Sequence, residues 1–255
     1  MRLSDKVAIV TGAGSGIGKA TAALFAAEGA KVIVVDWNKD TGEETAATLR
    51  QAGGQSLYCY ADVSQREDVE RMVNTALDHY ARLDVLVNNA AIAAMARLVD
   101  TTEETWDRVQ SVNLKGVFLG CKYAIPAMIR SGGGTIINIA SILGFVGDPD
   151  WAAYCAAKSG VIGLTKVAAL TYGPQGIRVN CICPGDVETP LREWEFSQSP
   201  DPDRSRREIS SKYPLRRLAS PQEIAECVVF LASEASSFIT GSSMVVDGGL
   251  TVRYY

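Results

Sequence analysis

Tyr154 and Lys158 stand four apart in the segment WAAYCAAKSGVIGL, so on a helix their side chains share a face. A phenol held beside an ammonium is a candidate proton acceptor. A free tyrosine titrates near ~10. A positive charge at ~5 Å, at an effective dielectric of ~20, stabilises the phenolate by ~3 kcal/mol, roughly two pKa units. Such a group works as a base at mildly alkaline pH. Among the nine tyrosines no other has a lysine at i+4, and Tyr213 with Arg217 comes nearest. Taken alone, the pair equally describes a surface contact. Ser141, 13 residues before Tyr154 at the end of an apolar run, adds a hydroxyl and tips the balance towards chemistry.

A second constellation lies near the start of the chain. The segment TGAGSGIG (11–18) carries Gly12, Gly14, Gly16 and Gly18, with Ile17 where G-x-G-x-x-G would place its third glycine. Glycines let a backbone approach a pyrophosphate, and a helix starting near Ser15 points its free N–H groups at it. A tight turn without a ligand is the plainer alternative. Asp36, 18 residues after Gly18 at the end of KVIVVD, favours the ligand. An acid there hydrogen-bonds the hydroxyls of an adenosine ribose and repels a 2′-phosphate. One charge pair at ~4 Å is worth ~1 kcal/mol in water and ~4 at an effective dielectric of 20, roughly one to three decades of discrimination. Ser15, Trp37 and Asn38 are neutral and offset none of it. The expected cofactor is NAD rather than NADP. Asp36 could also serve as a helix N-cap, which accounts for neither its position nor its spacing.

The elements that must position these residues are visible as short Val- and Ile-rich runs. They are KVAIV (6–10), KVIVV (31–35), SLYCYA (56–61), LDVLV (83–87), TIINI (135–139), IRVNCIC (177–183) and SMVVD (243–247). Helix-like stretches separate them. In 65–80 the residues Val69, Met72, Val73, Ala76, Leu77 and Tyr80 recur at 3–4 spacing. Strands buried on both faces, with helices between, specify one α/β domain with a doubly wound, parallel, seven-stranded sheet. Right-handed crossovers put every strand's C-terminal end on one edge, where such sheets bind ligands. Thr11-Gly12, Asp36, Asp62, Asn88-Asn89, Ser141 and Pro184-Gly185 all fall at those ends. The segment 196–210, containing SQSPDPDRSRR, reads as a linker.

Composition excludes several function classes. The 255 residues are formally −4 at pH 7, 47% hydrophobic and 21% charged, without the basic stripe that nucleic acid or an anionic membrane requires. No apolar run has the length of an export signal or a membrane helix, so a cytoplasmic protein is expected. The six cysteines lack metal-ligand spacing, which makes a metal site unexpected and buried, reduced thiols the better reading. Cys181 and Cys183 share one strand face. His79, the sole histidine, lies off the apolar stripe of its helix. That leaves no Ser-His-Asp hydrolase, no histidine-based dehydrogenase and no zinc alcohol dehydrogenase.

In this order, TGAGSGIG, Asp62-Val63, NNAA (88–91), Asn113, Ser141, YCAAK, PGDVET (184–189) and VDGG (246–249) resemble the short-chain dehydrogenase/reductase family across essentially the whole chain. The resemblance implies that Tyr154 is the general acid/base at the substrate oxygen. Lys158 would hold the nicotinamide ribose and favour the phenolate, Ser141 would hydrogen-bond the substrate oxygen, and Asn113 would anchor a water relay. The cofactor would meet Gly12, Ser15, Gly16, Ile17, Gly18, Asp36, Asp62, Val63 and Asn89, with Val187 and Thr189 at its carboxamide end. The resemblance also implies a substrate lid over 187–214 and a homotetramer. In that assembly Ala153, Ala156, Ala157, Gly160 and Gly163 would allow close helix approach between subunits, although they could equally pack against the protein's own sheet.

Two positions depart from the commonest family pattern. Ala91 replaces the glycine of NNAG, and Asp186 follows Pro184-Gly185 where apolar residues are frequent. Asp186 either faces the substrate, favouring a hydroxyl-rich or cationic one, or faces solvent. A lid arginine could clamp an acidic substrate, and Trp151 with Phe145 is expected to wall the pocket. The C-terminal Val252-Arg253-Tyr254-Tyr255 could reach a neighbouring subunit. Three functions follow. The first is NAD-dependent oxidation of a bulky or cyclic secondary alcohol, the second reduction of a 3-oxoacyl thioester or other ketone, and the third non-catalytic NAD(H) binding.

Overall fold

The Val- and Ile-rich runs form one parallel sheet in the computed structural model, which describes residues 1–252. The strands are β1 (Val7–Thr11), β2 (Lys31–Asp36), β3 (Gln55–Tyr60), β4 (Val85–Asn88), β5 (Gly134–Ile139), β6 (Ile177–Pro184) and β7 (Ser243–Val246). Their spatial order is β3-β2-β1-β4-β5-β6-β7. The order reverses between β1 and β4, which is where an open sheet opens a ligand crevice.

Nine α-helices are present among the described residues: α1 (Gly16–Ala27), α2 (Lys39–Gln51), α3 (Arg66–Tyr80), α4 (Glu103–Gln110), α5 (Gly116–Arg130), α6 (Ala152–Tyr172), α7 (Pro190–Ser197), α8 (Pro202–Lys212) and α9 (Pro221–Ala232). Alternation along the strands splits the core in two. Val7, Ile9, Ile33, Val35 and Ile136 point to the side of α3, α5 and α6. Ala8, Val10, Val32, Val34 and Ile137 point to the side of α1, α2 and α9. Each fully buried Val, Ile or Phe contributes roughly 1.5–3 kcal/mol, so neither face can be uncovered. Cys181 and Cys183 lie together on the first face, and all six cysteines are free thiols. His79 is exposed on α3. No helix among the described residues is long and apolar enough to cross a membrane, and no group of His, Cys, Asp or Glu among them could hold a metal.

A buried polar chain fixes the helix that carries the candidate base. Asn88 Nδ2 on β4 donates to Asn138 Oδ1 on β5 (2.9 Å), and Asn138 Nδ2 donates to Thr165 Oγ1 on α6 (2.9 Å). With every member satisfied, such a chain selects one arrangement of strands and helix.

One expectation changes. The linker-like 196–210 instead ends α7 and builds α8. Thr189 and Asp201 cap the two helices, accepting from Arg192 N and Arg204 N, and each cap is followed by proline at the first helical position. The small residues of α6 do not form one outward stripe. Ala153 and Ala157 pack against Val109 and Leu114, and Gly160 abuts Leu114, whereas Ala156 and Gly163 face outward. Residues 253–255, part of the C-terminal segment expected to reach a neighbour, lie outside the described residues.

Candidate active site

The C-terminal strand ends enclose a cavity of about 830 Å3. At one end stands the glycine turn after β1. Gly12 (φ +64°) and Gly16 (φ +52°) adopt left-handed backbone that favours glycine. A Cβ on Gly12 would lie 2.9 Å from Ala90 Cα, and one on Gly16 would lie 3.2 Å from Thr189 Cγ2. Ser15 caps α1 without a side-chain hydrogen bond, so the N–H groups of the first turn remain for an anion. Asn89 braces this turn, its Nδ2 donating to Thr11 O (2.8 Å) and Gly12 O (3.2 Å). Gly12, Ser15, Gly16, Ile17, Asp36, Asp62, Val63 and Asn89 all line the cavity. Gly18 does not. It sits behind the turn, where a Cβ would fall 2.1 Å from Gly12 O, so its role is close helix–strand packing.

Asp36 is buried, with Oδ2 accepting from Gly14 N (2.8 Å) and Oδ1 from Asn38 N (2.9 Å). The cap of α2 is Asn38, not Asp36. A carboxylate has about four acceptor positions, so Asp36 retains capacity for ribose hydroxyls. Among the described residues, Trp37, Asn38, Thr41 and Asp62 line the cavity near it, with no lysine or arginine between them.

At the other end, α6 presents Tyr154 and Lys158 on one face. Lys158 is buried, donates from Nζ to Ile139 O (2.7 Å) and lies 5.4 Å from the Tyr154 ring centre. Ser141 follows β5 and starts a short turn, its Oγ accepting from Leu143 N (3.1 Å). Trp151 sets its edge against Tyr154 at 5.4 Å between ring centres. Burial pushes the Tyr154 phenol well above its usual value, the Glu195 carboxylate raises it further, and the Ser141 hydroxyl pulls it back. Burial brings Lys158 down to about 8. Without the oxidised nicotinamide, whose charge is expected to add to that of Lys158, desolvation and a negative charge from α7 act against the phenolate.

Asn113 is fully buried and does not line the cavity. It sits in a π-helical turn (Ser111–Lys115) between α4 and α5, a distortion that recurs at functional sites. Its Oδ1 accepts from Ile92 N (2.8 Å) and its Nδ2 donates to Ile92 O (2.8 Å), fixing a wall segment. The remaining lone pair and N–H are what a water relay would use.

The segment 187–214 supplies the third side. Val187 and Thr189 line the cavity, as do Leu191 and Ile209. Of the arginines in 187–214, Arg192 alone reaches the wall. Arg204 pairs with Glu208, and Arg206 with Glu193 and Glu188. Asp186 faces the cavity, and sequence reasoning missed its partner. Tyr213 Oη donates to Asp186 Oδ2 (2.7 Å) and accepts from Asp186 N (2.7 Å), a contact across 27 residues that no local signal announces. Phe145, expected in the wall, is exposed outside it, because the turn at Ile142–Gly144 brings Leu143 inward instead.

A family model described as enoyl-(acyl carrier protein) reductase matches residues 12–251. The chain belongs to the short-chain dehydrogenase/reductase family. It is similar to a 3-oxoacyl-[acyl-carrier-protein] reductase of Thermotoga maritima (42% identical, 99% of this chain and 100% of that one). It is also similar to a cyclohexanol dehydrogenase of Acinetobacter sp. (41%, 99% and 97%). A solved structure of levodione reductase superposes with a TM-score of 0.96 at 37% identity, covering 99% of this chain and all of that one. This short-chain dehydrogenase/reductase is accordingly an oxidoreductase that works on alcohols or ketones with a nicotinamide nucleotide. The glycine cradle and Asp36 fit the dinucleotide's phosphates and ribose, and α6 flanks the end where its reactive ring belongs.

Proposed function

We propose that the enzyme oxidises a bulky or cyclic secondary alcohol with NAD, using Asn113, Ser141, Tyr154 and Lys158. One observation carries the reading. Tyr154, Ser141 and Lys158 meet on the wall of the same cavity whose far end holds Asp36. When bound, the nicotinamide nucleotide supplies the hydride acceptor. Ser141 orients the substrate oxygen and Tyr154 Oη takes its proton, with the buried Lys158 amine beside the phenol. Asn113 positions the Ile92 segment and offers the start of a proton path to solvent. Trp151, Leu143, Leu191 and Ile209 give the pocket apolar walls suited to a ring.

Reduction of a 3-oxoacyl thioester is the second reading, favoured by the 42% identity to the Thermotoga maritima reductase. A two-arm assay separates them. Faster turnover of cyclohexanol with NAD supports the first. Faster turnover of an acetoacetyl thioester with NADPH supports the second, and binding of NADH with turnover of neither points to a regulator.

The resemblance extends to assembly as a cytoplasmic homotetramer. Val167 and Leu170 on α6 and Phe118 on α5 are exposed apolar residues that such an assembly would cover. Light scattering is expected to give four times the 27.3 kDa chain mass; a monomer would remove this part of the reading.

A further inference from the structure

The residue that follows Asp36 is a tryptophan left in the open. Trp37 is 68% exposed, yet it lines the cavity beside Asp36. Among the described residues its indole stacks on no other ring. The neighbouring wall is apolar and firmly held. Ala61 N donates to Asp36 O (3.3 Å), which sets the end of β3 beside Asp36. Val63 then packs at the start of α5, where a Cβ on Gly116 would lie 2.9 Å from Val63 Cγ2. Val112 stands one turn before Gly116, and Ala61, Val63 and Val112 are all buried and all line the cavity. A lone exposed indole is ordinary on a protein surface. One at the mouth of an apolar slot, next to a carboxylate with spare acceptor capacity, is placed for a flat ligand.

We propose that Trp37 stacks its indole on the adenine of the bound dinucleotide and sets the affinity for a purine base independently of Asp36. The proposal requires a nicotinamide nucleotide with its adenosine ribose at Asp36, and it holds whichever alcohol is oxidised. In such a nucleotide the base is joined to the ribose carbon beside the 2′-hydroxyl. A ribose held by Asp36 therefore brings its adenine within reach of the next side chain. An indole covers the face of a base without needing a matched polar group, and a purine offers a wider face than a pyrimidine. The carboxylate then reads the ribose hydroxyls while the indole reads the base. The two roles are separable by substitution. Asp36 is held by the backbone N–H groups of Gly14 and Asn38, which a change of the Trp37 side chain leaves in place.

Calorimetric titrations of ADP, UDP, NADH and NADPH into the wild type, Trp37→Ala and Trp37→Phe test the proposal, alongside tryptophan fluorescence. ADP and UDP share ribose and phosphates and differ in the base. The wild type is expected to bind ADP at least about fivefold more tightly than UDP, with part of its emission quenched by ADP. Trp37→Ala is expected to weaken ADP and NADH alike by about fivefold to hundredfold, the span of base–aromatic stacking. The NADH-to-NADPH affinity ratio should stay within about threefold, unlike the effect of losing Asp36. Trp37→Phe keeps an aromatic face and should lose less, while its remaining Trp106, Trp151 and Trp194 no longer report ADP. If Trp37→Ala fails to fold, by its thermal melt, the quenching comparison between wild type and Trp37→Phe decides. Equal wild-type affinity for ADP and UDP overturns the proposal, as does weakening of ADP by less than about fivefold in folded Trp37→Ala. Unchanged ADP affinity with an altered mass by light scattering also overturns it and makes Trp37 a subunit contact. A wild type that binds neither ADP nor NADH overturns the cofactor assignment as well.

Discussion

Tyr154→Phe is expected to lower kcat by roughly 10²- to 10⁴-fold, the range supplied by a positioned proton-transfer group, while NADH affinity stays within about threefold. The substitution removes one oxygen and keeps the ring that Trp151 contacts edge-on, so the wall of the pocket survives. The lost oxygen is the one that Ser141 approaches and that burial, with Glu195, holds above its usual pKa. Without it, the alcohol proton is left with the Ser141 hydroxyl, a poor base, and with Lys158, which is already donating to Ile139 O. Steady-state rates and a fluorescence titration with NADH separate the two effects. Residual activity above about a tenth of wild type would mean that another group carries the proton.

Asp36→Ala is expected to shift the NAD-to-NADP preference in kcat/KM by about one to three decades towards NADP, the span given by a single charge pair at dielectrics from 80 to 20. Most of the change should appear as weaker NAD binding, since the acceptor for the ribose hydroxyls is gone. The carboxylate also holds Gly14 N and Asn38 N, so the melting temperature should fall by a few degrees as those donors lose their partner. A ratio unchanged in a folded variant would remove Asp36 from cofactor selection.

What the sequence made legible follows from burial. Strands such as VAIVT and KVIVVD are buried on both faces, so their apolar runs are continuous, and the polar residues that end them mark the sheet edge. Asp36 was readable because its distance from the glycine turn is set by one helix and one strand. Less was readable where the fold brings distant segments together. Tyr213 reaches Asp186 from the end of α8, and Glu195 reaches the surroundings of Tyr154 from α7. Neither contact leaves a periodicity. The same distance effect adds to the electrostatics of Tyr154, where desolvation and the Glu195 and Asp186 carboxylates act beside Lys158. The segment 196–210 looked like a linker because its helix is almost wholly polar, although Asp201-Pro202 is a sound helix start.

The most direct measurement follows absorbance at 340 nm near pH 9 with cyclohexanol and the cyclohexanediols, using NAD and NADP in separate reactions. The account predicts NADH formation, with kcat/KM for NAD at least tenfold above that for NADP. Turnover with NADP alone would contradict the role given to Asp36, and turnover with neither would contradict the assignment of a secondary alcohol as substrate.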